Sequence, residues 1–111
     1  MIVKLSRKTN QYPELSFGQP YVVIGIEAND YRILNDEGRP YLYPFMLFQI
    51  IDGREPKDWI TEYGDEGERY SYPALLNPAG FFEDYFDNKR EAVHTFWQVV
   101  NTRLAAMAIA A

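Results

Sequence analysis

The chain has no cysteine and a single histidine among its 111 residues. The first absence excludes disulfide stapling, thiolate catalysis, Cys-ligated zinc and Cys-held iron–sulfur clusters, and leaves the redox compartment undetermined. The second confines imidazole chemistry to His94. Long apolar runs are missing too. The amino-terminal MIVKL is too short for a signal-peptide core, and LAAMAIAA, Leu104 to Ala111, is eight residues where a bilayer crossing takes about 20. A soluble, cytoplasmic protein without membrane contact is expected. Neither a Walker A pattern nor GxGxxG occurs, and the chain is too short for a complete doubly wound nucleotide-binding domain or a TIM barrel. Basic charge is scarce: 11 Lys/Arg against 16 Asp/Glu give a net charge of -5, which argues against a nucleic-acid partner.

What the chain does have is apolar and aromatic mass, 47% apolar residues including nine Tyr, seven Phe and two Trp. At this length about two thirds of the surface can be buried on folding, enough for one domain without staples. The acids are uneven. Met1 to Glu55 holds six Lys/Arg and seven Asp/Glu, and Pro56 to Ala111 holds five and nine, so any electrostatic steering favours a basic partner.

Periodicity divides the single domain into a β part, about residues 1–72, and a helical part, about 77–108. YVVIGIE (Tyr21 to Glu27) follows a Pro- and Gly-punctuated stretch and is the first strong strand. Tyr31 to Leu34 and Arg39 to Tyr43 flank Asn35-Asp36-Glu37-Gly38, a four-residue hairpin loop in which Gly38 supplies positive φ. Leu47 to Ile51 is another strand. Asp58 to Tyr63 and Glu68 to Tyr72 form a weaker hairpin around Gly64-Asp65-Glu66-Gly67, and Ile2 to Leu5 is an additional β-like segment. In the helical part, Asn77 and Pro78 read as N-cap and first residue of a short helix through Phe86. Asn88 and Glu91 read as the capping box of a long helix from Lys89 to at least Leu104. Val93, Phe96, Trp97, Val100, Leu104 and Met107 make its apolar stripe. The expected fold is mainly β with C-terminal helices (α+β): a small barrel or curled antiparallel sheet of five strands, packed by one short and one long helix.

Candidate chemical sites are thin. Aligned on Gly38, the Asp30–Gly38 segment puts Ile33 where the first oxygen ligand of a calcium loop belongs, so it is no EF-hand. His94 lies near Glu91 and Asp87 but has no cysteine partner for a metal. A catalytic role for it would need Ser71 or Ser16 beside it in space. The paired acids Glu66/Glu68, Glu83/Asp84 and Asp36/Glu37 sit in turns or on a helix, without the burial that hydrolysis by two carboxyls needs. No metal and no cofactor is implied. The aromatic residues carry more: alternation sets Trp59, Thr61 and Tyr63 on one strand face, and Tyr and Trp favour interfaces. A partner-binding surface of Tyr31, Tyr43, Trp59 and Tyr63 with Asp36 and Asp58 is the candidate site. GFFEDYFD adds Glu83 and Asp84 to it, while Phe82, Tyr85 and Phe86 share the side expected to pack on the sheet.

The run GQPYVVIGIEANDYRILNDEGRPYLYPFMLFQIID, with its Asn-Asp-Glu-Gly turn and LYP..LF pattern, resembles an SH3-like barrel and a group of small, mostly uncharacterised bacterial proteins. The resemblance covers Gly18 to about Trp59 and extends to GFFEDYF. It implies a docking module, and by the likeness to small acidic bacterial proteins near toxin systems, an immunity factor. The chain lacks the aromatic and acidic loop motif of peptide-binding SH3 domains. The expected function is a noncatalytic protein-binding module using an acidic, aromatic surface. The alternatives are a toxin-neutralising immunity protein, a small hydrolase, and a homodimer joined through the LAAMAIAA tail.

Overall fold

A computed structural model describes residues 1–110, with the side chains of 108–110 outside the description. The chain forms two compact units, Met1–Tyr72 and a second beginning at Pro73. The first unit and its boundary hold seven strands: β1 Ile2–Leu5, β2 Tyr21–Glu27, β3 Asp30–Leu34, β4 Pro40–Pro44, β5 Phe48–Asp52, β6 Trp59–Tyr63 and β7 Arg69–Pro73. A 3-10 turn, Phe45–Leu47, joins β4 to β5.

β2 is the axis. β3 pairs along one side of it, while β1 (Ile2↔Val22, Val3↔Tyr21) and β7 (Ile26↔Ser71, Glu27↔Tyr70) share the other. All pairings are antiparallel. Against β3 the register steps from Val23↔Ile33 to Gly25↔Arg32, so Ile24 is an extra residue, a bulge that bends the strand. This explains why Val23, Ile24, Gly25 and Ile26 are all buried where simple alternation would expose two of them. Val3, Leu5, Val23, Ile33, Tyr43 and Phe48 belong to the core of this unit.

The loops follow from local chemistry. Between β3 and β4 the Asn35 Oδ1 accepts the N–H groups of Glu37 and Arg39, both at 3.0 Å, and Gly38 takes φ 73°. Between β6 and β7, Gly64 N–H donates to Glu68 C=O at 2.8 Å and Gly67 takes φ 80°. The β2–β3 connection is tighter than expected, two residues, with Ala28 itself at φ 55°.

The continuous hydrogen-bonded path is β4-β3-β2-β1-β5, five strands, with the β6–β7 hairpin attached to β2. Among the described residues its two end strands do not pair with each other, so the sheet is open. This corrects the resemblance to an SH3-like barrel, which requires closure. β4 begins and ends in proline, Pro40 and Pro44, and so lacks two of the donors that a second ladder would use. The fold class itself stands: a mixed α+β chain with an antiparallel sheet and two C-terminal helices.

In the second unit, a 3-10 turn Ala74–Leu76 precedes α1 (Phe81–Phe86) and α2 (Arg90–Ala110). Both expected caps shift. Asn77 N–H closes the 3-10 turn on Ala74 C=O, and Phe81 N–H closes a turn on Pro78 C=O, so α1 starts after Gly80 at φ 81° instead of at Pro78. Asn88 has φ 58°, whereas an N-cap residue is extended. Its N–H donates to Tyr85 C=O and that of Lys89 to Asp84 C=O, both at 3.0 Å, the paired bonds of a left-handed helix end. Asn88 thus terminates α1. Phe82 and Tyr85 meet Phe96 of α2 with ring centroids 6.1 and 4.7 Å apart, while Phe86 is exposed. The buried residues of α2 are Ala92, Phe96 and Val100, with Val93 and Trp97 half-buried beside them and Leu104 exposed. The tail proposed as a dimer contact lies partly outside the described residues. No described helix is long and apolar enough to cross a membrane.

Candidate partner-binding edge

The residues expected to form a partner surface divide by burial. Tyr43 and Tyr31 are directly opposite on β4 and β3, yet Tyr43 is buried. Its hydroxyl accepts Asn35 Nδ2–H at 3.0 Å, its ring meets Tyr12 and Phe48 edge-on, and burial pushes its pKa up to about 12. Tyr31 is half-buried against Phe45 and Phe48, its hydroxyl pKa raised by burial, and Trp59 packs on the same core. Asp36 is exposed but engaged: its carboxylate accepts the Ser16 hydroxyl at 2.6 Å and the Tyr21 hydroxyl at 2.7 Å, tying the long β1–β2 segment to the β3–β4 turn. Asp58 and Tyr63 are exposed, Tyr63 at 71%. Glu83 and Asp84 lie in the first turn of α1, in the second unit, with Asp84 4.0 Å from Lys89.

Ser71 is fully buried and its hydroxyl shares a 2.8 Å hydrogen bond with Thr61. The Ser16 hydroxyl is held by Asp36. His94 is exposed on α2, beside Arg90, Trp97 and Asn101 along a shallow depression of about 710 Å³. Among the described residues no three His, Asp or Glu side chains gather as they would to hold a metal ion.

Two features go beyond the residues the sequence singles out. The first is a buried polar knot. Arg32 donates to Tyr72 Oη (2.6 Å), Pro40 C=O (2.7 Å) and Glu27 Oε2 (2.6 Å), and Tyr72 Oη–H donates to Glu27 Oε2 at 2.5 Å. Burial raises the Tyr72 hydroxyl pKa far above its ordinary value. A β-carbon on Gly25 would lie 2.2 Å from the Tyr72 ring, so this ring position depends on glycine.

The second is the outer edge of the sheet. Among the described residues β5 pairs only with β1, and β6 only with β7. β1 and β7 pair with β2 at opposite ends of that strand, and each carries one further strand: β5 lies at the edge beyond β1, and β6 at the edge beyond β7. The β5 edge is apolar. Ile50 and Ile51 on β5 are 51% and 52% exposed, and Met46 in the preceding turn is 80% exposed. Ile50 stands directly opposite Val3, which is wholly buried, so both share the core face of the sheet. The pairing jumps from Val3↔Ile50 to Ile2↔Asp52, making Ile51 a bulge residue. Beside it, hydrogen bonds from Arg54 hold the Asp52 carboxyl well below the usual carboxylate range, and the hydrogen bond from Arg69 lowers the pKa of Glu55.

The sequence hint was available: FQIID ends a strand in two isoleucines with no charge between Phe48 and Ile51. What the sequence could not supply was the pairing partner, and hence the face. No family model, curated protein or solved structure matches the chain.

Proposed function

We propose that the protein is a noncatalytic binding module that engages another protein through the β5 edge and the turn before it. The observation that carries this is Ile50: it stands on the core face opposite fully buried Val3 and is nonetheless half exposed, with Ile51 and Met46 exposed nearby in the chain. A soluble chain gains nothing from such side chains in water, and covering one isoleucine is worth about 1.5 kcal/mol. Of the expected surface, Trp59 and Tyr63 lie on β6 with Tyr63 exposed, whereas Tyr43 serves the core.

Charge supports a basic partner. Residues 48–68 carry seven acids and two bases, a balance of 2 - 7 = -5 that equals the net charge of the whole chain. Such a field speeds encounter with a positive surface and weakens with salt. The test is co-purification from native cell extract at low and high salt, with wild type and the Met46→Asp/Ile50→Lys double variant. A stoichiometric, salt-sensitive partner that the variant loses supports the function. Retention of that partner by the variant, or no partner with wild type, overturns it.

A further inference from the structure

We infer that β5 takes up its partner as an added β-strand: an extended segment of another protein, apolar at alternate positions and flanked by basic residues. The inference rests on the binding-module function proposed above and specifies its mode. Three observations carry it.

The first is backbone direction. Leu5 and Phe48 are Cα partners, yet the bond at this level runs from Ser6 N–H to Leu47 C=O at 2.9 Å. Leu5 and Phe48 are therefore a non-hydrogen-bonded pair, and alternation turns the N–H and C=O of Ile50 toward the outer edge. An incoming strand would find a donor and an acceptor there.

The second is the core face. Phe48 is buried opposite Leu5, and Ile50, the next residue on that face, is half exposed opposite buried Val3. A strand laid beside β5 places its own alternate side chains next to these and continues the apolar layer outward. The other edges offer less. β4 is bracketed by Pro40 and Pro44, and β6 has no buried residue and carries Glu62. β5 has neither proline nor charge from Phe48 to Ile51, and its one guard, the bulge, falls after Ile50, so the stretch through Ile50 is the one that accepts pairing.

The third is charge, which selects the occupant. A second copy would bring its own -5 stretch against the first, whereas a segment with lysine or arginine at its ends meets the acids that follow β5.

The experiment selects binders from a random-peptide display library against the full chain and then follows backbone amide exchange by NMR with the best peptide. The expected peptides alternate apolar residues between basic ends and slow exchange of the Ile50 amide by about tenfold or more. N-methylation of the peptide backbone at alternate residues is expected to abolish binding, and Ile50→Lys to weaken it about tenfold. Peptides that bind but protect other residues, or that survive N-methylation in both registers, overturn strand addition while leaving the binding module standing. So does a library that yields no binder when the extract partner is captured. Protection of Ile50 that rises with protein concentration alone, together with a dimer mass in sedimentation, overturns the inference in favour of a second copy.

Discussion

At the junction of β2, β3 and β7 a guanidinium is buried, whereas two strands away in the same sheet an isoleucine is left in water. The Arg32 side chain is 8% exposed and fully occupied by Tyr72, Glu27 and the Pro40 carbonyl. Ile50 is 51% exposed and, among the described residues, its strand pairs only with that of Val3. A sheet that sorted residues by hydrophobicity alone would do the reverse. The knot ties β2, β3, β4 and β7 at one point with directional bonds that a slipped strand could not make. The isoleucine side chains of β5 can make no such directional bonds, which leaves that edge open to a partner from outside.

Gly25 is the position at which the knot is most directly disrupted. Gly25→Val would drive a side chain into the Tyr72 ring and to within 2.8 Å of the Ser71 carbonyl, which belongs to the backbone and cannot turn away. A loss of about 3 kcal/mol or more, or failure to fold, is expected in urea denaturation. Next comes Arg32→Met, which leaves Glu27 and the Tyr72 hydroxyl without their cation. Because the Glu27 side chain is 31% exposed and water can reach it, the expected cost is about 2–3 kcal/mol, toward the low end for a broken buried pair. Tyr72→Phe, which keeps the ring on Gly25 and removes one hydroxyl, should cost less, about 1–2 kcal/mol. If the two variants were equally mild, the knot would be packing and nothing more.

How much of this was legible beforehand depends on how local the cause is. The β3–β4 loop could be read because Asn35 and Gly38 advertise their roles in their own chemistry. The β2–β3 turn could not, since Ala28 adopts a left-handed φ of 55° that alanine seldom takes. Asn88 was misplaced because asparagine suits both the start of a helix and the left-handed residue after one; only its φ of 58° decides. In YVVIGIE the bulge at Ile24 is hidden, as an unbroken apolar run carries no alternation to interrupt. Openness of the sheet is a property of two strand edges far from any signal in either. For the candidate edge, Tyr63 and Asp58 were legible as exposed residues of a strand and its approach. Ile50 was not, because its meaning comes from standing opposite Val3.

A milder probe of the interior is alkaline titration. The Tyr43 pKa is raised from 10.0 to about 12 by burial, so its neutral form is favoured in the folded state. The stability this contributes is complete below pH 10 and is lost as pH rises through about 12. The Tyr72 shift has the same sign. Tyrosinate absorbance in the folded protein should accordingly lag behind that of the urea-unfolded chain above pH 10, and Tyr43→Phe should shrink the lag. An equal titration of folded and unfolded chains would place the Tyr43 hydroxyl in water and remove it from the core.

The smallest expected effect on stability sharpens the contrast most. Val3 and Ile50 face each other across β1 and β5, the first with no exposure and the second with half of its surface in water. Val3→Ala should cost about 2 kcal/mol, since it opens a cavity in a closed layer. Ile50→Lys should cost less than about 1 kcal/mol, because a lysine stem can lie where the isoleucine lay while its ammonium reaches water. The same Ile50→Lys variant is expected to lose the partner. Should it instead unfold as readily as Val3→Ala, Ile50 would belong to the core of the unit, and its exposure would say nothing of binding. Stability retained with partner lost is the combination that only a binding residue produces.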